Sequence, residues 1–197
     1  MRSVFLSLVV MVSAAGLCGC SDPEADRAEN AAAEAAKAAE ARVREAAAAK
    51  REAARLADLW TYSDTPAGKG RQLSTYLYSS EGVDTDGLGP KRVQLVFRDH
   101  PSWGRSSYLV LQGGDFNCYS GCTVKVTVDE AEAKSMAGRR PKTDEAIAMF
   151  INDEMALWRM TAGAKRLSVE FPVRAGGART ATFEIAGLDR SKMPGWN

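Results

Sequence analysis

The chain has 197 residues and carries 26 Lys and Arg against 25 Asp and Glu, which gives a formal net charge of +1. This balance supplies neither the basic excess expected of a nucleic-acid-binding protein nor an acidic tail, so nucleic acid is excluded as an expected partner. The 45% of hydrophobic residues is ordinary for a globular protein, but these residues are distributed unevenly along the chain.

The first segment is a short apolar run that ends in Leu17-Cys18-Gly19-Cys20. Arg2 gives a positive start, and residues 4–16 form an apolar stretch of about a dozen residues, which suits a secretory signal and is too short to span a membrane. Gly19 is the small residue that a cleavage site before Cys20 requires. The pattern resembles the lipobox of bacterial envelope lipoproteins. This resemblance implies a signal peptide over residues 1–19 and lipidation, including palmitate, at Cys20.

Two features leave an alternative open. Cys18 stands where the lipobox usually has a small aliphatic or hydroxyl residue, and an ordinary secretory signal could instead be cut near Ala14-Ala15. With the lipobox interpretation, we expect a membrane-anchored protein of the bacterial envelope. Ser21 after the anchor favours the outer membrane, with the protein facing the periplasm.

Residues 20–59 are predicted to form a lipid-anchored helical tether. From Ala25 onward this segment consists mostly of Ala, Glu, Lys and Arg, without Gly or Pro, and these are strong helix formers. A helix of roughly 33 residues extends about 50 Å. The segment is interpreted as a solvated spacer, although a weak homo-oligomeric coiled coil through Ala39, Val43 and Ala46 is an alternative.

Residues 60–197 are predicted to form one β-rich globular domain, because all four Trp and most β-branched residues lie there. Apolar and polar residues alternate in several stretches, which is typical of half-buried strands. The predicted strands cover residues 73–79, 93–98, 107–112, 124–128, 167–171 and 182–185. The predicted fold class is α+β: a long N-terminal Ala-rich helix, then a mainly antiparallel β-sandwich or open barrel with one helix.

Residues 146–163 are ambiguous between strand and helix. Ile151, Met155 and Trp158 share one helical face, Asn152 or Asp153 can cap a helix, and Gly163 can end it. Periodicity does not decide whether residues 146–151 belong to this helix, and we interpret them as a strand before it.

Cys118 and Cys122 are predicted to form a disulfide, because two cysteines left in an exported protein most simply pair. A zinc site is disfavoured, since a closed site needs four ligands and His100 is the only histidine. By strand alternation, Cys118 shares a face with Phe116, and Cys122 shares a face with Val124. This predicts a hairpin with its turn at residues 119–121 and with both sulfurs pointing inward.

The order of motifs in the second half of the chain carries a further resemblance. Cys118 and Cys122 precede Val124-Lys-Val-Thr-Val128, and the chain then reaches Thr180-Ala-Thr-Phe-Glu-Ile-Ala-Gly-Leu188. This region looks like a pattern shared by uncharacterised exported β-rich bacterial proteins, and its last part is similar to the VasI-type family associated with type VI secretion. The resemblance implies a β-rich exported domain and carries no catalytic residues.

No catalytic, cofactor or metal site is predicted. His100 near Ser102 lacks the nucleophile elbow of an acyl transferase, and Asp84-Thr-Asp-Gly87 lacks the final Glu of a calcium loop, so a surface histidine and a turn are expected. The expected function is therefore a non-enzymatic interaction module that is held away from the membrane on its spacer and meets an envelope protein or a cell-wall component. The alternative is an envelope enzyme acting on peptidoglycan or another glycan.

Overall fold

The structure is a computed structural model that describes residues 23–141 and 147–197. The predicted signal peptide and Cys20 lie outside the described residues. The chain divides into two compact units, residues 1–47 and residues 48–197, and each is considered by itself.

The first element, helix α1, spans Pro23–Asp58 and confirms the predicted long helix. Its first turn carries Glu24 and Asp26, whose negative charges suit the positive end of the helix dipole. Arg44 pairs with Glu40 one turn earlier, at 2.5 Å. None of the helices in the described part of the chain combines the length and hydropathy that a membrane span requires.

The second unit is built on one antiparallel sheet of nine strands, in the spatial order β1-β2-β3-β4-β7-β6-β5-β8-β9. The strands are β1 Thr61–Ala67, β2 Gly70–Val83, β3 Lys91–His100, β4 Gly104–Val110, β5 Cys122–Val128, β6 Lys134–Arg139, β7 Ala148–Ile151, β8 Arg166–Pro172 and β9 Ala178–Glu184. The sheet curls until β2 and β9 lie side by side across a polar cavity. The predicted α+β class with a mainly antiparallel sheet is confirmed.

Helix α2 spans Glu154–Met160 and follows β7, as predicted. The Asp153 side chain caps it by accepting a hydrogen bond from Ala156 N. Residues 148–151 are a strand, so the interpretation of that ambiguous stretch is confirmed where the structure describes it. The chain ends in two 3₁₀ turns that carry Trp196 into the core.

The core lies on the concave side of the curled sheet and is rich in aromatic rings. Phe97 on β3 stands at its centre, with ring centroids 5.1 Å from Trp158, 5.4 Å from Trp196 and 6.4 Å from Trp60. Rings at these separations add to the stabilisation given by burial alone. This cluster therefore joins the sheet, α2 and the last turn of the chain.

The last turns of α1 belong to the second unit. Arg55 makes a forked ion pair with Glu184 on β9, at 3.0 and 3.1 Å. The backbone of Leu56 runs so close to Gly187 that a Cβ on Gly187 would lie within 3.0 Å of it. The expectation that the whole helix is a spacer therefore does not hold for its last turns, because Arg55 and Leu56 contact the β domain.

Candidate binding surface

Cross-strand register places a row of aromatic side chains on the outer, convex side of the sheet. Tyr76 on β2 is opposite Val96 on β3, Val96 is opposite Tyr108 on β4, Tyr108 is opposite Phe150 on β7, and Phe150 is opposite Arg139 on β6. Arg98 on β3 and Tyr78 on β2 lie on the same side of the sheet, each two residues along its strand from this row. The aromatic–arginine face is defined here as Tyr76, Tyr78, Val96, Arg98, Tyr108, Arg139 and Phe150, with His100 and Trp103 at its margin.

The row is well packed although it lies outside the core. The Tyr108 and Phe150 rings are 5.0 Å apart, and Tyr76 contacts Tyr78 edge to face at 5.9 Å. Val96 is only 5% exposed because its cross-strand neighbours cover it. These contacts fix the rings in place, so the face is ordered before it meets any partner.

Arg98 lies among three rings of this face. Its guanidinium carbon is 5.4 Å from the Tyr108 ring, 5.4 Å from the Trp103 ring and 5.9 Å from the Phe150 ring. In the part of the chain that the structure describes, Arg98 Nε and Ser106 Oγ are buried without a hydrogen-bond partner. Burying polar atoms without a hydrogen bond is unfavourable, so these two shielded groups, opposite each other on β3 and β4, oppose the favourable packing of the rings.

The turn between β3 and β4 presents the most exposed tryptophan. Trp103 is 70% exposed, and its ring stacks on His100 with the centroids 3.8 Å apart. His100 Nδ1 accepts hydrogen bonds from the backbone N–H groups of Ser102 and Trp103, which leaves its proton on Nε2. The histidine therefore shapes the turn and supports the indole ring, a role that sequence analysis missed.

The aromatic–arginine face is cationic. Arg98 and Arg139 provide the charge, and the Arg139 guanidinium carbon is 5.0 Å from the Phe150 ring. The outward positions next to the row are Ser74, Gln94, Ser106, Val110, Ala137 and Ala148, none of which is acidic. Farther along the same side of the sheet, Glu170 on β8 is paired with Lys125 on β5 at 2.9 Å. Burial raises the pKa of the Tyr108 hydroxyl, with the positive charge of Arg98 opposing that effect, so the phenol stays a neutral hydrogen-bonding group.

The two cysteines predicted to pair lie at disulfide distance, with their sulfurs 2.06 Å apart. The predicted hairpin is wrong, however: Phe116 bridges to Val173 after β8, and only Cys122 lies in a strand. A turn hydrogen bond from Gly121 N to Cys118 O closes the loop. Gly138 on β6 leaves the space for the sulfurs, since a Cβ there would meet Cys122 Sγ at 2.9 Å.

We expect both cysteines to be oxidised in protein isolated from an oxidising compartment. These are the two cysteines left in the exported chain, and Cys118 is 1% exposed, so burial shields the bond from reductants. Thiol labelling of the denatured, unreduced protein should modify neither residue. The same sample after reduction is the control and should label at both, and two free thiols before reduction would contradict the pairing.

A second polar cluster surrounds Asp115 near the disulfide. Arg140 donates to both carboxylate oxygens at 2.6 and 2.5 Å, and the Tyr119 hydroxyl donates at 2.8 Å. Burial works against the charged carboxylate, but the hydrogen bonds from Arg140 and Tyr119 outweigh it and hold the pKa of Asp115 below its usual value. The cluster fixes the loop that precedes β5.

Asp115→Asn should destabilise the fold at neutral pH by about 2 kcal/mol, because it removes charge-assisted hydrogen bonds from a largely buried arginine. A carboxyl whose pKa is lowered by folding stabilises the native state above its unfolded pKa of about 4 and loses that contribution as the pH falls. The variant should therefore lose less stability on acidification than the wild type. Urea denaturation at pH 7 and pH 3 measures this loss. Asp64→Asn, at an exposed position, is the control and should change stability little. If the wild type and Asp115→Asn lost equal stability on acidification, the prediction would be contradicted.

Asp86 and Asp115 do not have the properties of the two carboxyl groups that hydrolyse a glycosidic bond. Asp86 and Asp115 line one cavity of about 490 Å³. Backbone and Lys91 hydrogen bonds lower the pKa of Asp86, so both carboxyls stay ionised at neutral pH. Glycoside hydrolysis needs one carboxyl with a raised pKa as the general acid, and this pair supplies none. Within the described residues, no group of three or more His, Cys, Asp or Glu side chains is arranged to hold a metal ion.

Comparison of the chain with protein-family models, with curated proteins and with solved structures finds no match. The resemblance of the first segment to a lipobox, and that of the C-terminal segment to VasI-type proteins, stay predictions.

Proposed function

We propose that this protein is a lipid-anchored envelope protein that holds a β-rich interaction module on a helical spacer. The observation that carries the proposal is the aromatic–arginine face, which has ordered rings and two guanidinium groups on one side of the sheet. Exposed aromatic surface rimmed by polar groups is typical of binding sites. Arginine and tyrosine are also the residues most enriched in binding hot spots.

We infer the anchor and its location from the lipobox resemblance of the first segment. Cleavage before Cys20 and lipidation of its thiol would attach the chain to the outer membrane on the periplasmic side. The 25 residues of α1 that precede residue 48 would then supply a spacer of up to about 38 Å. The face would meet envelope components that lie away from the membrane.

Cys20→Ala should release the protein from membranes or stall its processing, because no other lipidated thiol remains after cleavage. Membrane fractionation and the mass of the mature N-terminus measure this, and a diacyl- or triacyl-glyceryl cysteine is expected in the wild type. Cys18→Ala is the matched control and should leave anchoring unchanged. A Cys20→Ala chain that stays membrane-bound and is processed normally would contradict the lipobox interpretation.

Crosslinking in intact cells tests the binding surface. A photoreactive amino acid at Tyr78, which is 43% exposed on the face, should give an adduct with an envelope component. The adduct should disappear when Arg98→Ala and Tyr108→Ala are added to the same chain. Lys134, on the opposite side of β6 from Arg139, is the control position and should give no such adduct. Adducts that form equally at both positions, or that survive the two alanine substitutions, would overturn the proposal.

A further inference from the structure

We propose that the aromatic–arginine face binds an extended acidic polysaccharide chain, with sugar rings resting on the aromatic side chains and sugar carboxylates held by Arg98 and Arg139. This inference rests on the proposed function and names the chemistry of its partner. Three properties of the face favour such a ligand: mixed polarity, charge and length.

The mixture of groups fits a sugar better than a purely apolar partner. A sugar ring has a face of C–H bonds and a rim of hydroxyls. Tyr76, Tyr78 and Tyr108 each combine an aromatic ring with a hydroxyl that can donate or accept. Gln94 and Ser74 add neutral hydrogen-bonding groups in the neighbouring rows. A hydroxyl-rich ligand can satisfy these groups, whereas an aliphatic partner would bury them unpaired.

The charge of the face selects an acidic ligand. Its two guanidinium groups have no carboxylate beside them at the outward positions described above, so an incoming carboxylate would not compete with a resident acid. Arg98 is held by contacts with Tyr108, Trp103 and Phe150. Guanidinium groups bind carboxylates through paired hydrogen bonds, and little side-chain freedom is lost when the arginine is already fixed.

The length of the row favours a chain over a small molecule. The row from Tyr76 to Arg139 crosses five adjacent strands, and strand spacing makes this about 19 Å. The face lies on the convex side of the curled sheet, and a convex surface suits contact along a chain better than enclosure of a single ring. Membrane insertion is less suited to it, because the exposed Leu88 and Trp103 stand in turns at opposite ends of β3 and cannot enter a bilayer together from this face.

Tryptophan fluorescence can report binding at this face, because Trp103 is exposed. The other three tryptophans, Trp60, Trp158 and Trp196, are buried. The full chain, anchored in phosphatidylcholine nanodiscs, is titrated with oligogalacturonate and, as the neutral match, with malto-oligosaccharide. We expect oligogalacturonate to change Trp103 emission and to bind at least tenfold more tightly than the neutral oligomer. Trp103→Phe should remove the optical signal, and calorimetry should still detect binding to that variant.

The matched variants locate the site. Arg98→Ala and Arg139→Ala should each weaken oligogalacturonate binding about tenfold, the cost of one charge-assisted contact. Lys134→Ala removes a positive charge from the other side of β6 and should change the affinity little. Equal affinity for both oligomers, or equal effects of all three substitutions, would overturn the inference.

Two further outcomes separate this inference from the proposed function. A change of Trp103 emission on adding phosphatidylglycerol to the nanodiscs, without any response to oligogalacturonate, would assign the face to anionic lipid and overturn the polysaccharide inference. Crosslinking from Tyr78 to a protein, again without a response to oligogalacturonate, would leave the interaction module in place with a different partner.

Discussion

Phe97→Ala should destabilise the β domain by about 4 kcal/mol and lower its melting temperature by about 10 °C. The Phe97 ring is fully buried and contacts three tryptophans from separate parts of the chain, so its removal leaves a cavity that none of them can fill alone. Denaturant unfolding of the full chain, followed by circular dichroism, measures the change in the free energy of unfolding.

Phe150→Ala is the matched control for this prediction. It removes the same side chain from the outer face of the same sheet, where the ring is only partly buried. We expect a loss of about 1 kcal/mol there, within the range of cross-strand pair contributions. Equal losses for the two variants would mean that the aromatic cluster on the concave side is not the main source of stability.

Gly187→Ala should destabilise the full chain by about 2 kcal/mol, because the added Cβ would overlap the Leu56 backbone and push the end of α1 away. The φ angle of Gly187 is not in the left-handed region, so the cost comes from lack of space and not from backbone strain. Calorimetric melting of the full chain measures it.

Truncation supplies the control for Gly187→Ala. In a chain that begins at Leu59, Leu56 is gone, and the same substitution should cost less than 0.5 kcal/mol, the usual range for a surface change. A chain that begins at Ala48 keeps Arg55 and Leu56 and should melt like the full chain. If Gly187→Ala costs the same in the chain that begins at Leu59, the helix end does not pack on the domain.

Strands with strict alternation could be predicted from the sequence. Residues of β3, β5 and β8 point alternately to the core and outward, and the apolar pattern records this directly. Strands β1 and β6 escaped detection. Strand β1 is a largely exposed edge strand, and one of the two buried positions of β6 is Gly138, which has no side chain to contribute to an apolar pattern.

The candidate surface could not be predicted because its members are far apart in sequence. Val96 and Tyr108 meet through the local pairing of β3 with β4, but Phe150 joins them only through the pairing of β4 with β7, which no local pattern encodes. The predicted hairpin at Cys118 failed for the same reason, since Phe116 pairs with Val173 and not with a strand next to it in sequence. Local periodicity thus identified the strands, while long-range pairing determined the site.

The order of strands in the sheet bears on how a newly made chain acquires its structure. Strands β1 to β4 are joined in sequence by turns and can form a meander as they emerge, because each pairing is local. The partner of β4 is β7, which arrives only after β5 and β6 have been made. Until then the β4 edge is an open row of backbone donors and acceptors, which another copy of the same meander could occupy. We therefore expect self-association during biogenesis to begin at Gly104–Val110, and a holding chaperone to be needed most in the interval before Ala148–Ile151 appears.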